Sequence, residues 1–299
     1  MMLSRPRPLR HTAVLTGMLT GMLMVLLFAS SSWAQALPPG YQRNLSLAQA
    51  AMREAVDANV RPFPDQPLWA KAIRLAEAVV EMAPREAGGL GLLAEAYSRT
   101  NFFGRAWPAW EAYLDAGHDL TPEQTPIFLG VGEQLAWSAY EGGDRERAAE
   151  LHLAMLDAVP FSKESRVWVA RIRMEQGRPV DAIPYWEAVV AQDPEDDRAR
   201  YFLNLARDQA RWGVAAADAF RQGVAHYEAG DMDAARRALE RATDSNPQYA
   251  EAWAWRGRIA FEAASYLVAL RHYERAVELA PDVDAYRYFR NESQRLLDE

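Results

Sequence analysis

Ala235-Arg-Arg-Ala-Leu-Glu-Arg-Ala242 returns 34 residues later as Ala269-Leu-Arg-His-Tyr-Glu-Arg-Ala276. Each run ends at a proline five residues past its last alanine, Pro247 and Pro281, and each is preceded by a helical stretch carrying a glycine, Gly223 and Gly257. A fixed period of this length with apolar residues at helical spacing predicts stacked helical hairpins. Proline stops the second helix of each hairpin, because it lacks the amide hydrogen and its ring clashes with the preceding turn. Working outward, Pro160 and Pro194 are again 34 residues apart, so period and residue type agree in a second part of the chain.

These residues resemble the tetratricopeptide repeat family. A unit counted from Ala250 supplies Trp253, Gly257, Ala269, Tyr273, Ala276 and Pro281 at the family's large, small, aromatic and proline positions. The unit counted from Ala216 supplies Gly223, Ala235, Leu239, Ala242 and Pro247, but has Ala219 where a large residue is expected. Glu228-Ala-Gly-Asp231 matches the family's turn between helices. The resemblance implies an all-α, right-handed superhelical solenoid of about five hairpins with a C-terminal capping helix. Small residues let helices approach, and bulky ones fill the gaps between neighbouring hairpins.

Composition removes several function classes. The chain has 299 residues, no cysteine and a net charge of −8. Without cysteine there is no disulfide, acylated cysteine, thiol nucleophile or thiolate metal site. Only Lys71 and Lys163 are lysine among 33 basic residues, and no basic run occurs, which argues against nucleic acid and anionic membrane surfaces as partners.

Residues 1–36 have the form of a secretory signal peptide. Arg5, Arg7 and Arg10 precede an apolar run over 13–29, and Ala34-Gln-Ala36 is a small-x-small site, so cleavage after Ala36 and an exported, periplasmic or secreted location are expected. An uncleaved membrane anchor is the other reading, since the run is nearly long enough to span. Residues 37–44 are expected as a linker. A helical array follows over 45–195, opening with a helix at 45–60 whose apolar face is Leu45, Leu47, Ala48, Ala51, Met52 and Val56 and closing its first, divergent repeat at Pro84. An insertion at 119–126 breaks the phase. Between Pro194 and Pro247 lie 53 residues, one period plus 19, so 196–212 is expected as an extra joint helix. Two repeats over 213–283 and a capping helix over 284–299 complete the chain, with Tyr286, Tyr288, Phe289 and Leu296 expected to cover the last repeat.

Local signals for chemistry are missing. His118, His152, His226 and His272 form no helical ligand pair, so no metal site is expected. No nucleophile elbow or phosphate loop occurs. Acidic groups at Glu195-Asp-Asp197 and Asp231/Asp233 sit where helix caps belong. No catalytic residue and no cofactor is nominated, and the expected role is a non-enzymatic protein–protein interaction scaffold in the bacterial cell envelope.

The resemblance implies that one face of each first helix lines a concave groove. The unit at 129–162 places Glu133, Trp137, Tyr140 and Glu141 there; the unit at 163–196 places Glu164, Val167, Arg171, Met174 and Glu175; the last repeat places Arg258, Phe261 and Glu262. Aromatic side chains beside arginine and glutamate suit an extended peptide or a partner helix. They also suit a glycan, which would make the chain a polysaccharide- or peptidoglycan-associated adaptor. A large residue at Trp137 or Tyr140 serves equally as groove wall or as core between repeats. Family members that grip a chaperone's terminal carboxylate use lysine and asparagine at positions that are Glu133, Trp137, Val167 and Arg171 here, so that clamp is not expected.

Overall fold

The computed structural model describes residues 36–299, and the signal-peptide expectation lies outside them. Over this range the chain forms fourteen helices and, among the described residues, no strand. They are α1 (Tyr41–Asp57), α2 (Pro67–Met82), α3 (Ala87–Arg99), α4 (Phe103–Asp115), α5 (Gln124–Glu141), α6 (Arg145–Ala158) and α7 (Lys163–Glu175). Then come α8 (Pro179–Gln192), α9 (Asp197–Trp212), α10 (Val214–Glu228), α11 (Met232–Ser245), α12 (Ala250–Glu262), α13 (Tyr266–Leu279) and α14 (Asp284–Asp298). The fold is an all-α solenoid of helical hairpins. Six helix pairs, α1/α2, α3/α4, α5/α6, α7/α8, α10/α11 and α12/α13, pack as hairpins, one more than the period suggested, while α9 and α14 stand outside the pairing.

The repeat pattern works as packing. Ala235, Ala238, Leu239 and Ala242 are buried on α11, and Ala269, Tyr273 and Ala276 on α13. A Cβ at Gly257 would lie 2.9 Å from the Tyr273 ring, so only glycine allows this approach of α12 to α13. Asp144, Ser162, Asp196 and Asp231 cap α6, α7, α9 and α11 by accepting the amide hydrogen three residues on. The core is a series of clusters along the array rather than one ball.

Several local expectations shift. Helix α1 begins at Tyr41, inside the expected linker, because the buried Tyr41 hydroxyl accepts the Gly89 amide hydrogen at 3.1 Å and ties the chain down. Its buried face is Tyr41, Ala48, Ala51, Met52 and Ala55, whereas Leu47 and Val56 are exposed. Helix α5 absorbs the end of the 119–126 insertion. On α14, Tyr286 and Phe289 pack against the last repeat and Leu296 is half-buried, but Tyr288 points to solvent at 62% exposure.

The extra helix α9 is not a passive joint. It packs on α8 as the first helix of a further repeat would, placing Leu203 and Ala206 against Trp186 and Val189. Its own second helix is missing. Gly213, at φ +86° and ψ 147°, turns the chain directly into α10, a backbone region open to glycine alone.

Candidate functional site

Two concavities share a border at Trp168. The larger, about 1250 Å³, is walled by α7, α9 and α10, with Trp186 of α8 also lining it. The smaller, about 380 Å³, lies between α5, α6 and α7. Both open mainly on first helices, because second helices carry the alanine stripe that packs the hairpins.

The groove residues expected from sequence divide between these concavities. Glu133, Trp137 and Tyr140 line the smaller one, and Glu164 lines both. Val167, Arg171, Met174 and Glu175 line the larger one, where Met174 sulfur accepts the Trp186 indole hydrogen at 3.2 Å. Glu141, at the exposed end of α5, lines neither. Arg258 lies on the last repeat, away from both. Phe261 is not a groove residue: its ring meets Phe289 of α14 edge-on at 5.6 Å, so it belongs to the packing that the capping helix completes. Trp137 is 45% exposed, which answers whether it is core.

Around Tyr140 the helices are cross-linked by polar groups. Its hydroxyl donates to the Glu175 carboxylate, with both oxygens at 2.8 Å. Glu175 also accepts from Arg171 at 2.9 Å and Arg145 at 3.2 Å, and both guanidinium groups lie over the Tyr140 ring. Burial alone would raise the Glu175 carboxyl; the hydrogen bonds from Tyr140, Arg171 and Arg145 outweigh it and hold the group below its ordinary range. Trp168 stands edge-on to Tyr140 at 5.2 Å, with Arg171 at 5.0 Å over its ring.

The same constellation occurs twice. Tyr227, Trp255, Arg258 and Glu262 follow Tyr140, Trp168, Arg171 and Glu175 at a constant offset of 87 residues. Tyr227 donates to Glu262 at 2.7 Å, Arg258 pairs with Glu262 at 3.0 Å, and Arg258 lies over both Tyr227 and Trp255. The shared pattern Trp-x-x-Arg-x-x-x-Glu on a first helix is the sequence signal for it. A search at the 34-residue period passes over it, because the extra 19 residues put the two copies out of phase.

Sequence reasoning also missed the contribution of α9 and α10. Arg198, Phe202, Leu205 and Gln209 of α9 and Asp218 and Arg221 of α10 line the larger groove. Phe202 stacks on Trp186 at 5.2 Å, and Arg221 lies 5.0 Å from the centre of the exposed Tyr201 ring. Gln209 donates to Asp218 at 2.9 Å, yet its buried Oε1 has no hydrogen-bond partner. Among the described residues no group of histidine and carboxylate side chains is arranged to hold a metal ion, and no helix is long and apolar enough to cross a membrane.

Comparison with known proteins identifies the repeats, with one match joining α9 to α10. The tetratricopeptide repeat family model matches residues 133–197, 170–225 and 220–284, together half of the chain. The chain belongs to the tetratricopeptide repeat family. The second and third matches overlap on α10, which serves as partner of α9 in one and first helix of the next hairpin in the other. Similar solved structures include a tetratricopeptide repeat protein from Parabacteroides merdae, 14% identical over 85% of this chain and 99% of that one, TM-score 0.36. Others are pilF of Pseudomonas aeruginosa, 14% identical over 85% and 99%, TM-score 0.30, and YrrB, described as a TPR protein with an unusual peptide-binding site, 15% identical over 74% and 97%, TM-score 0.30. No curated protein sequence matches the chain.

Proposed function

We propose that this chain is a non-catalytic scaffold of the bacterial cell envelope that holds an extended segment of a partner protein in the groove walled by α7, α9 and α10. Membership of the repeat family makes a protein-interaction scaffold the general role. The observation that carries the specific reading is the groove itself, about 1250 Å³ with aromatic, cationic and anionic side chains interleaved along one wall. An extended peptide presents backbone amides and alternating side chains, and such a wall meets both. The unmet Gln209 oxygen supports this, because a buried acceptor without a donor costs about 1–3 kcal/mol until something supplies one. A preformed wall lowers the ordering cost of binding. Export rests on the signal-like residues 1–36, and the membrane is reached only through that segment if it stays uncleaved.

The test is site-directed photo-crosslinking in intact cells. A photoreactive residue at Leu205, in the groove, should trap a discrete partner, and one at the exposed Arg236 on α11 should not. Equal trapping at both positions, or none at Leu205, would remove the groove assignment. A glycan is the second reading, supported by the exposed rings of Trp137 and Tyr201. Saturable heat on titration with peptidoglycan fragments, lost in Trp137→Ala, would favour it.

A further inference from the structure

The constant offset between the two Tyr–Trp–Arg–Glu constellations supplies an internal comparison. Around the second, the positions equivalent to Glu133 and His152 are Phe220 and Leu239. Both pack into one apolar cluster with Tyr227 and Trp255, and Leu239 is fully buried. Around the first, the same space is lined by Glu133 and His152 and remains a cleft of about 380 Å³. Two apolar fillers are thus replaced by polar groups while the Tyr–Trp–Arg–Glu set is kept, which is not how a repeat maximises packing.

Three features of the cleft call for a positive group. Glu133 and Glu164 both line it, and neither has an ion-pair partner among the described residues. Glu164 accepts one hydrogen bond, from the Trp168 indole at 2.9 Å. Glu133 and Glu164 are both exposed as whole residues, yet partial desolvation first, and Glu164 second, raise the Glu133 carboxyl, as expected of an anion with no counter-charge. The nearby arginines cannot supply it, since Arg145 and Arg171 are held on Glu175, and Lys163 is held by Asp193 and Asp196. Arginine already lies over Tyr140 and Trp168, which leaves Trp137, exposed and edge-on to Trp168 at 5.9 Å, as the ring open to a ligand.

The fourth feature is His152. It is 3% exposed, lies parallel to Trp168 at 5.7 Å, and its Nδ1 is buried with no hydrogen-bond partner. Burial depresses its pKa to about 4, so at neutral pH the ring adds no positive charge to oppose a cation.

We propose that the cleft between α5 and α7 receives a lysine or arginine side chain of the partner protein, with Glu133 and Glu164 pairing its charge, Trp137 covering its alkyl stem and His152 accepting one of its hydrogens. This rests on the scaffold reading and names one anchor of the bound segment. A cation beside an exposed indole and two carboxylates gains from both, and the carboxylates lose their mutual repulsion.

The test uses small probes, so it does not depend on knowing the partner. Nα-acetyl-lysine methylamide, Nα-acetyl-arginine methylamide and the neutral isostere Nα-acetyl-norleucine methylamide are titrated into the folded protein while the Trp137 and Trp168 indole N–H signals are followed by NMR. The expected result is saturable shifts with at least one cationic probe, none with norleucine, and at least tenfold weaker binding in E133Q/E164Q at unchanged melting temperature. If the double variant melts early, E133Q alone is read, since Glu133 is exposed and the change is isosteric. No saturable shift, equal shifts with norleucine, or undiminished binding in the glutamine variants would overturn the proposal. Crosslinking at Leu205 reads the groove separately, so a silent cleft with a working groove sinks the anchor and leaves the scaffold standing.

Discussion

The Tyr140 hydroxyl of α5 lies 2.8 Å from both carboxylate oxygens of Glu175 on α7, bridging two consecutive repeats across the open face of the array. In a repeat protein each unit touches only its neighbours, so a bridge between first helices acts directly on the interface term that couples them. The Tyr227–Glu262 bridge does the same between α10 and α12.

Tyr140→Phe removes this bridge while keeping the ring beneath Arg145 and Arg171. Because the group is partly solvated, the loss should be about 1 kcal/mol. Hydrogen exchange should accelerate in α5 to α8 and remain unchanged in α12 to α14; an even loss along the chain would contradict the interface role.

Trp137 and Trp110 should separate function from stability. Trp110 is fully buried and donates to Ser98 at 3.0 Å, so Trp110→Ala should cost about 3–5 kcal/mol. Trp137→Ala removes an exposed ring and should change the melting temperature little while weakening capture of the partner. A melting curve beside a crosslinking yield for each variant checks both; a large drop in melting temperature for Trp137→Ala would return that ring to the core.

Gly257→Leu tests the hairpin contact. Even its Cβ would sit 2.9 Å from Tyr273, and overpacking costs roughly 1–3 kcal/mol. Protection should fall in α12, α13 and α14, with α1 to α4 unaffected, as measured by hydrogen exchange.

Acid should weaken the fold through His152. Its folded pKa is about 4, against about 6.5 for an unfolded histidine. The unfolded chain therefore takes up a proton that the folded chain refuses, and stability is complete above pH 6.5 and lost as pH falls towards 4. The loss should reach about 2 kcal/mol by pH 5 from this residue, and His272, whose pKa burial and then Arg256 also lower to about 4, adds in the same direction. His152→Phe should flatten the dependence of the urea midpoint between pH 7 and 5; an unchanged slope would mean that the ring takes its proton inside the fold.

The sequence by itself determined the repeat. Period, alanine spacing and proline stops are local packing rules, each readable within one hairpin, and they held from Ala235–Ala242 and Ala269–Ala276 outward to Pro160 and Pro194. It also put Trp137 and Tyr140 on one face of α5, and Arg171 and Glu175 on one face of α7, because position within a helix fixes direction. The tertiary structure decided what lies between repeats. That α9 is a groove wall follows from the turn at Gly213, which no periodic pattern announces. That Phe261 packs against Phe289 depends on where α14 comes to rest. That His152 is buried against Trp168 while Trp137 stays open depends on how closely α5, α6 and α7 approach, a distance set by every side chain in the interface together.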